Sequence, residues 1–377
     1  MGIESVRDYV RAIWQRYHGA NRKYKKLILT EFCQVAGIHR KHAIRLLRKA
    51  PVKRAKRRGA KPKYGADVAR VLQDIWLASN RLCSKLLKAA IPIWLPFYEE
   101  RNSLTPALRE HVLQISPATM DRLLKPSRRQ YGSRGRCGTK PGSLLKHQIP
   151  IKTNQADVHK PGFVEADTVA HCDDSIEGNF VWSLTFTDIF SGWTENRAVW
   201  NKGYEGVKLA IENIESELPF SLLGFQSDNG GEFLNYHLFR YFSERNLPVG
   251  FTRGRPHHKN DNAHVEQKNW SRVRQLLGYQ RIENPELIPP INTLYRTWSA
   301  YHNFFCPTLK LATKNKEGSR YVKTYETPQT PYQRLMASTD VLEPAKIHLG
   351  VLFSQLNPYA LKKQIDYHQR RILSQLR

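Results

Sequence analysis

Three acidic residues in the second half of the chain have the type and setting that metal-dependent chemistry requires. Asp167 interrupts an apolar, strand-like segment, where burying a carboxylate without a partner is costly. Asp228 follows the strand-like segment GFQS and precedes Asn229-Gly230-Gly231, a turn that uses the backbone freedom of glycine. Glu266 follows Asp228 by 38 positions and lies in a helical pattern.

Such a set of carboxylates supports phosphodiester chemistry with bound divalent cations. Mg²⁺ takes oxygen ligands and binds through only a few carboxylates. Two ions about 3.5–4 Å apart can activate a nucleophile and stabilise a leaving oxygen. Any one of these acids taken singly is more often a helix cap or a surface charge. Together, Asp167, Asp228 and Glu266 are predicted to be catalytic and to ligate two Mg²⁺ (or Mn²⁺) ions per site.

The segments around these acids alternate between strand and helix patterns. Three β-rich segments, GFVEADTVAH, NFVWSLTFTDIF and WTENRAVW, are separated by turn-forming residues. A helix over 203–217, the strand LLGFQSD, the helix NYHLFRYFSERN and the strand PVGFTR follow. A long helix from about Asp261 carries Glu266, with Ala263, Trp270 and Val273 expected to face the sheet. The pattern predicts a mixed α/β sheet flanked by helices.

The segments GFVEADTVAH, SDNGGEF and HKNDNAHVEQKN resemble the three catalytic blocks of DDE transposases with a retroviral-integrase-type core. TDIFSGWTENRAVWNK and YHNFF extend the resemblance, which covers about 160–310. It implies a ribonuclease-H-like fold in which Asp167 bridges both metals while Asp228 and Glu266 each hold one. The implied activity is cleavage of duplex DNA at the ends of a mobile element, followed by joining of the freed 3′-hydroxyl to a target.

The basic residues are concentrated in the first part of the chain. Residues 1–150 contain 33 Lys and Arg against 9 Asp and Glu, a net charge of +24, out of +27 for the whole chain. This asymmetry predicts a polyanion partner, and we expect double-stranded DNA. The absence of an 18-residue apolar run predicts no membrane partner and a cytoplasmic, nucleoid-associated bacterial protein. The five cysteines are scattered without a CxxC pair, which argues against disulfides and a cysteine zinc site.

Two helical segments in this basic part have the outline of helix-turn-helix DNA-binding domains, predicted at 1–50 and 66–125. In the first, apolar residues of helix 27–36 and Ala43, Ile44 and Leu47 of the next helix are expected to form the core. Ser116 and Pro117 predict the start of the second recognition helix. These units resemble bacterial insertion-sequence transposases more than retroviral enzymes, whose N-terminal zinc module requires His and Cys pairs absent here.

Basic linkers are predicted at 51–65 and 126–159, the catalytic core at 160–310 and a basic C-terminal region at 311–377. In this last region, the segment after Thr308 is expected to lie over DNA and HLGVLFSQLNPY to begin a small β unit. The terminal residues are expected to form a basic helix. The predicted DNA contacts are Arg40, Lys41, Arg45, Arg48, Lys53, Arg54, Lys56, Arg57, Arg58, Thr119, Arg122, Lys125, Lys259, Lys268 and Arg272.

Several other polar residues have alternative interpretations. Glu165, on the same strand face as Asp167, is expected to have a structural role, and Asp188 to belong to a turn or strand end. Glu232 could bind metal but is expected to cap the following helix. His171-Cys172 and His257-His258 have no matching pair that would indicate zinc.

The function predicted from these features is that of a transposase, acting as at least a homodimer on paired DNA ends. Two alternatives stay open. One is a catalytically inactive remnant or regulator that retains only DNA binding. The other is a ribonuclease-H-type nuclease, which would keep the metal chemistry but would hardly need two DNA-binding units.

Overall fold

Two units make up the chain, Met1–Lys63 and Tyr64–Arg377. The computed structural model describes residues 3–48, 63–131, 158–227, 232–233, 235–253 and 263–376. Both predicted linkers fall largely outside these ranges. The described residues of 64–377 form one unit, and the predicted domain boundaries near 125, 160 and 310 within it stay predictions.

The first unit is a three-helix cluster built around Phe32 and Leu47, which are fully buried. Gly37 has a φ of 66° and ends the second helix, where its N–H donates to the carbonyl of Cys33. The predicted helix, glycine turn and basic helix are therefore present, although Ile44 is 41% exposed rather than internal. Leu27 and Val35 also face solvent, because the narrow core uses only Ile28, Leu29, Phe32 and Ala36 of their helix. The helices are α1 (Ile3–Gly19), α2 (Arg22–Ala36) and α3 (Arg40–Arg48).

The second unit begins with four helices, of which the last starts as predicted. The Ser116 side chain accepts a hydrogen bond from the Thr119 N–H, and Pro117 occupies the first turn. This helix continues to Gln130 instead of ending near 125, and Pro126 lies inside it. Ser127 donates to the Gln73 side chain at 2.9 Å and fastens the last turn. The helices are α4 (Ala66–Ala78), α5 (Ser84–Glu99), α6 (Pro106–Gln114) and α7 (Pro117–Gln130).

The segment predicted to be the catalytic core contains a five-stranded mixed sheet in the described residues, ordered β3-β2-β1-β4-β5. β1, β2 and β3 form an antiparallel meander, whereas β4 and β5 run parallel to β1. Helix α8 connects β3 to β4, and α9 lies between β4 and β5. This is the ribonuclease-H-like architecture expected from the sequence. The elements are β1 (Phe163–Ala170), β2 (Val181–Asp188), β3 (Thr194–Trp200), α8 (Tyr204–Glu217), β4 (Gly224–Ser227), α9 (Tyr236–Ser243) and β5 (Gly250–Arg253).

The alternation of side chains along β1 separates a structural face from a polar face. Val164 and Ala166 are buried in the hydrophobic core that the sheet forms with α8 and α9. Glu165 and Asp167 therefore point to the other side, where the helical segment after β5 lies.

That segment is not one continuous α-helix. Helix α10 (Ala263–Lys268) passes into a π-helical turn at Asn269–Arg274 and then into α11 (Gln275–Leu277). The wider turn shifts the faces that follow it. Val273 is buried as expected, but Trp270 is 42% exposed.

Helix α12 (Ile288–Phe305) covers the edge strand β3 through two asparagines. The N–H of Ala198 donates to Asn292 Oδ1 at 2.7 Å, and that of Thr194 donates to Asn303 Oδ1 at 3.1 Å. Each Nδ2 donates back to the carbonyl of the same strand residue. The two side chains thus satisfy backbone groups that a sheet edge leaves open.

The C-terminal region is mostly helical. The segment HLGVLFSQLNPY does not begin a β unit, because its residues lie in α14 and α15, whose apolar side chains pack on α12. The basic terminal helix is confirmed as α15. Trp94 donates to the carbonyl of Phe305 at 2.8 Å, so α4–α7 share one hydrophobic core with these helices. The elements are β6 (Leu311–Glu317), β7 (Arg320–Tyr325), α13 (Pro331–Ala337), α14 (Glu343–Gln355) and α15 (Pro358–Ser374).

None of the helices in the described part of the chain combines the length and the apolar character that a bilayer span requires.

Candidate active site

Asp167 lies on the central strand of the sheet and is partly exposed. Its Oδ1 accepts a hydrogen bond from the Thr168 N–H at 2.8 Å. Its Oδ2 accepts one from Asn269 Nδ2 at 2.6 Å. Donors from β1 and from the π-helical turn therefore orient the carboxylate between two elements.

The parallel pairing of β1 with β4 brings the end of β4 beside Asp167. Ala166 pairs with Ser227, which is the last residue of β4 and is fully buried. Asp228 itself lies outside the described residues. β4 nevertheless ends one residue before Asp228, and its last residue, Ser227, lies level with Ala166, the residue before Asp167.

The helix that carries Glu266 is held against the same face of β1. The N–H of Val265 donates to Glu165 Oε2 at 3.0 Å, and Asn269 donates to Asp167. Glu266 lies between these two contacts in α10, although its side chain is outside the described part of the structure. Of the three predicted ligands, Asp167 thus lies in β1 and Glu266 in a helix bonded to β1, while Asp228 follows the last residue of β4 in the sequence.

Glu165 has the structural role expected of it. Its side chain is fully buried, and Oε2 accepts the Val265 N–H at the start of α10. A carboxylate that receives a helix N–H stabilises that end of the helix. Glu165 therefore helps to position the helix that carries Glu266.

Glu232 does not cap the following helix, contrary to expectation. Asn235 is the N-cap of α9, where its side chain accepts the Leu238 N–H. The Glu232 carboxylate instead accepts from Thr168 Oγ1 at 3.0 Å and pairs with Lys202 Nζ at 2.7 Å. Glu232 is therefore a buried link between the residue after Asp167 and the loop after β3.

Asn269 is a site residue that the sequence interpretation missed. Its Oδ1 is buried and has no hydrogen-bond partner, while its Nδ2 holds Asp167. The available signal was its position three residues after Glu266, close to the same helix face. An unpartnered amide oxygen beside a carboxylate is a suitable setting for a hard cation.

The donor set near Asp167 fits Mg²⁺ or Mn²⁺ in chemical type, since it consists of carboxylate and amide oxygens. Among the described residues, no three His, Cys, Asp or Glu side chains gather in a metal-binding group. The two remaining predicted ligands, Asp228 and the Glu266 side chain, are outside that part of the chain.

The predicted DNA contacts differ in their environments. Arg272 is only 3% exposed, so little of its surface is accessible to DNA, and its contact with DNA stays a prediction. The π-helical turn directs it inward, and burial lowers its pKa to about 10. Lys268 is partly buried, and burial lowers its pKa well below the ordinary value.

Other predicted contacts face solvent or lie outside the described residues. Thr119 is partly buried and accepts from Arg122 Nη2 at 2.8 Å. The exposed contacts are Arg40, Lys41, Arg45, Arg48, Arg122 and Lys125. Those outside the described residues are Lys53, Arg54, Lys56, Arg57, Arg58 and Lys259.

Two alternative candidates prove to be structural. Asp188 closes the β2–β3 turn by accepting from the Gly162 N–H and from the backbone and hydroxyl of Ser191. His171 is fully buried, lies 2.8 Å from Ser183 Oγ through Nε2, and has its pKa lowered to about 3 by burial. His257-His258 lies outside the described residues.

Comparison with known proteins identifies one extended sequence relative. The chain is 40% identical over 332 residues to the uncharacterized protein y4rM of Sinorhizobium fredii (strain NBRC 101917 / NGR234). The alignment covers 87% of this chain and 94% of y4rM. No family model matches the chain.

Two solved structures resemble part of the chain. One is the catalytic core domain of BIV integrase, with 18% identity, a TM-score of 0.25, and coverage of 31% of this chain and 70% of that chain. The other is the HTLV-2 integrase catalytic core domain in complex with magnesium, in a dimeric form. For it the identity is 16%, the TM-score 0.29, and the coverage 39% of this chain and 90% of that chain. From the extent of its sequence identity to y4rM, the chain belongs to the same protein family as y4rM.

Proposed function

We propose that the chain is a DDE transposase that cleaves the ends of a mobile DNA element and joins them to a target. The observation that carries the proposal is that β4 and the helix of Glu266 both adjoin β1 beside Asp167. β4 ends beside Asp167 through the Ala166–Ser227 pair, and the helix of Glu266 is bonded to β1 through Glu165 and Asp167. Asp167 lies in β1, Glu266 lies in α10, and Asp228 follows β4 directly in the sequence.

Asp167, Asp228 and Glu266 are the proposed ligands of two Mg²⁺ or Mn²⁺ ions. When bound, such ions supply charge for activating the attacking oxygen and stabilising the leaving oxygen. The chain's own contribution is positioning. The Thr168 N–H and Asn269 hold the Asp167 carboxylate in one orientation, and Glu165 fastens the start of α10.

DNA binding is proposed for the exposed cations of α3 and α7. Arg40, Lys41, Arg45 and Arg48 give α3 a strongly basic surface without an acidic residue in the helix. Arg122 and Lys125 are exposed on α7, where Ser116 fixes the first turn. Each helix has the form of a recognition helix, and each is expected to contact duplex ends.

The decisive experiment incubates the full chain with the element's own end sequences and Mg²⁺, and measures nicking at the 3′ ends. We expect nicking and subsequent strand joining by the unaltered chain, and neither product when Mg²⁺ is replaced by EDTA. End binding without nicking would favour the inactive regulator. Cleavage of RNA–DNA hybrids in preference to the element ends would favour a ribonuclease-H-type nuclease.

Assembly on DNA is a further part of the proposal, because two element ends must be joined in one event. Charge repulsion between the basic N-terminal parts should weaken association until DNA neutralises it. Mass photometry with and without paired ends should therefore show weaker association of the free protein and a stable multimer, at least a dimer, on DNA. Strand joining by a protein that remains monomeric on saturating ends would contradict this part.

A further inference from the structure

The hairpin β6–β7 is a two-stranded ribbon whose described residues are all exposed along both strands. Gly318 follows β6 with a φ of 59° and begins the two-residue turn Gly318-Ser319, as two-residue hairpins require. An isolated two-stranded hairpin is at most marginally stable in water. The ribbon therefore depends on its attachment and leaves both faces available to a partner.

The register places the lysines of the two strands on one face of the ribbon. Lys316 pairs with Tyr321, and Lys323 pairs with position 314, which is also a lysine. Residues paired across an antiparallel ladder share a face, so these positions form what we call the lysine face. The opposite face is nearly neutral and contains Thr313, Asn315, Val322 and Thr324 together with the cross-strand pair Glu317 and Arg320.

Concentrating lysines in this way is unfavourable for the free ribbon. Like charges at directly paired positions destabilise a sheet. The opposite face is instead joined by a hydrogen bond of 2.6 Å between the hydroxyls of Thr313 and Thr324. An arrangement that costs stability in the free protein becomes favourable when a polyanion neutralises the lysines.

The base of the ribbon is anchored to the catalytic core. Arg334 is 6% exposed and donates to Thr308 Oγ1 at 2.8 Å, to the Thr308 carbonyl at 2.7 Å and to the Ser191 carbonyl at 3.0 Å. Lys310 Nζ lies 4.4 Å from the centre of the Phe190 ring. Ser191 and Phe190 belong to the β2–β3 turn, so the core fixes the direction in which the ribbon leaves it.

We propose that the lysine face of β6–β7 is a DNA-binding arm that contacts the phosphate backbone of duplex DNA. A two-stranded ribbon has dimensions that the major groove accepts. The β2–β3 turn that anchors the ribbon lies beside the start of β1, where the N–H of Ile189 donates to the Phe163 carbonyl. Asp167 lies farther along β1. The arm therefore contacts duplex away from the cleaved phosphate. The choice of DNA as the polyanion rests on the proposed function.

The test compares Lys316→Gln/Lys323→Gln with the matched control Arg320→Gln/Arg371→Gln in the full chain. Both double variants remove two exposed cations, but the control removes none from the lysine face. Affinity for a labelled duplex is measured by fluorescence anisotropy over a range of salt concentrations. Losing two phosphate contacts should reduce the slope of log K against log salt by about 2 and weaken binding by about tenfold at moderate salt.

The control should keep both the slope and the affinity within about twofold of the unaltered chain. Equal slopes for the lysine-face variant and the unaltered chain would overturn the arm, as would an equal loss in the control. Circular dichroism melts verify that both variants fold. Lys316→Glu/Lys323→Glu is a second variant, which should weaken binding further if the face meets phosphates.

Failure of the arm and failure of the proposed function give different results. If the unaltered chain cleaves element ends while the lysine-face variant binds duplex normally, the arm is wrong and the transposase activity stands. If the chain never cleaves but the lysine-face variant shows the reduced slope, the arm stands and the catalytic proposal fails.

Discussion

Asp167 on β1 and Asp188 at the end of β2 occupy contrasting environments in the same sheet. Asp188 is 1% exposed and accepts two hydrogen bonds from Ser191 in its own turn and one from the N–H of Gly162, which precedes β1. Asp167 is partly exposed, and Asn269, which holds its Oδ2, is 102 residues away in the sequence. Asp188 is enclosed by donors from the β2–β3 turn and from the residue before β1, whereas Asp167 stays partly exposed beside the end of β4.

Burial and hydrogen bonding thus distinguish a structural acid from a candidate metal ligand, which residue type alone does not. A buried carboxylate that accepts several hydrogen bonds from the protein contributes to folding, and its loss leaves those donors unsatisfied. A partly exposed carboxylate oriented by distant elements is available to a cation. Substitutions at Asp188 should therefore affect stability, and substitutions around Asp167 should affect cleavage.

The largest expected effect is on cleavage by the ligand variants Asp167→Asn, Asp228→Asn and Glu266→Gln. Each amide retains the shape but removes the charge that holds the metal, so nicking and joining should fall by at least about a thousandfold. End binding should remain within a few-fold of the unaltered chain, as measured by gel shift. The exposed Asp174→Asn variant is the control. Normal cleavage by any of the three would remove that residue from the site.

Removing the Asp188 side chain should mainly affect folding. Asp188→Ala leaves the Gly162 and Ser191 donors without their acceptor, at a cost of about 2–4 kcal/mol in the free energy of unfolding. Urea denaturation measures the loss, and Asp174→Ala should change stability by less than about 0.5 kcal/mol. The folded fraction should still cleave DNA. Unchanged stability would contradict the structural role.

The titration of Asp188 provides a pH test of the same difference. Burial raises its pKa from 3.8 to about 6, so the folded protein holds this proton more tightly than the unfolded chain. Its contribution to the free energy of unfolding should therefore decline as pH rises from about 4 to about 6, by about 3 kcal/mol in total. Urea denaturation at pH 4.5 and 7.5 should show this decline in the unaltered chain relative to Asp188→Asn. Parallel pH profiles for the two proteins would refute it.

The smallest expected effect concerns Asn269 as a positioning residue. Asn269→Ala removes the donor to Asp167 Oδ2 and should reduce cleavage by about tenfold to a hundredfold. The Mg²⁺ concentration for half-maximal cleavage should rise, a change that a general loss of stability would not produce. Gln267→Ala, at an exposed position of α10, is the control and should retain the normal Mg²⁺ dependence. An unchanged Mg²⁺ dependence in Asn269→Ala would separate this residue from the metal site.

Local patterns were sufficient to predict most of the core elements. The alternation in GFVEADTVAH and NFVWSLTFTDIF predicted β1 and β2, and helical periodicity predicted α8 and α9. Ser116-Pro117 predicted the start of α7 because a helix N-terminus is specified by neighbouring residues. Predictions of this kind succeed since the determining interactions lie within a few residues. The catalytic roles of Asp167, Asp228 and Glu266 stay predictions from the motifs.

By itself, the sequence determined the charge asymmetry, the order of strands and helices, and the motif acids. The tertiary structure decided the features that depend on distant contacts. The π-helical turn placed Arg272 inside and Trp270 outside, although an uninterrupted helix predicted Trp270 on the sheet. The segment HLGVLFSQLNPY, predicted to begin a β unit, lies in helices that pack on α12, and the contact of Asn269 with Asp167 joined residues 102 positions apart. Periodicity encodes which side of an element is apolar, but only the packed chain determines what each polar side chain meets.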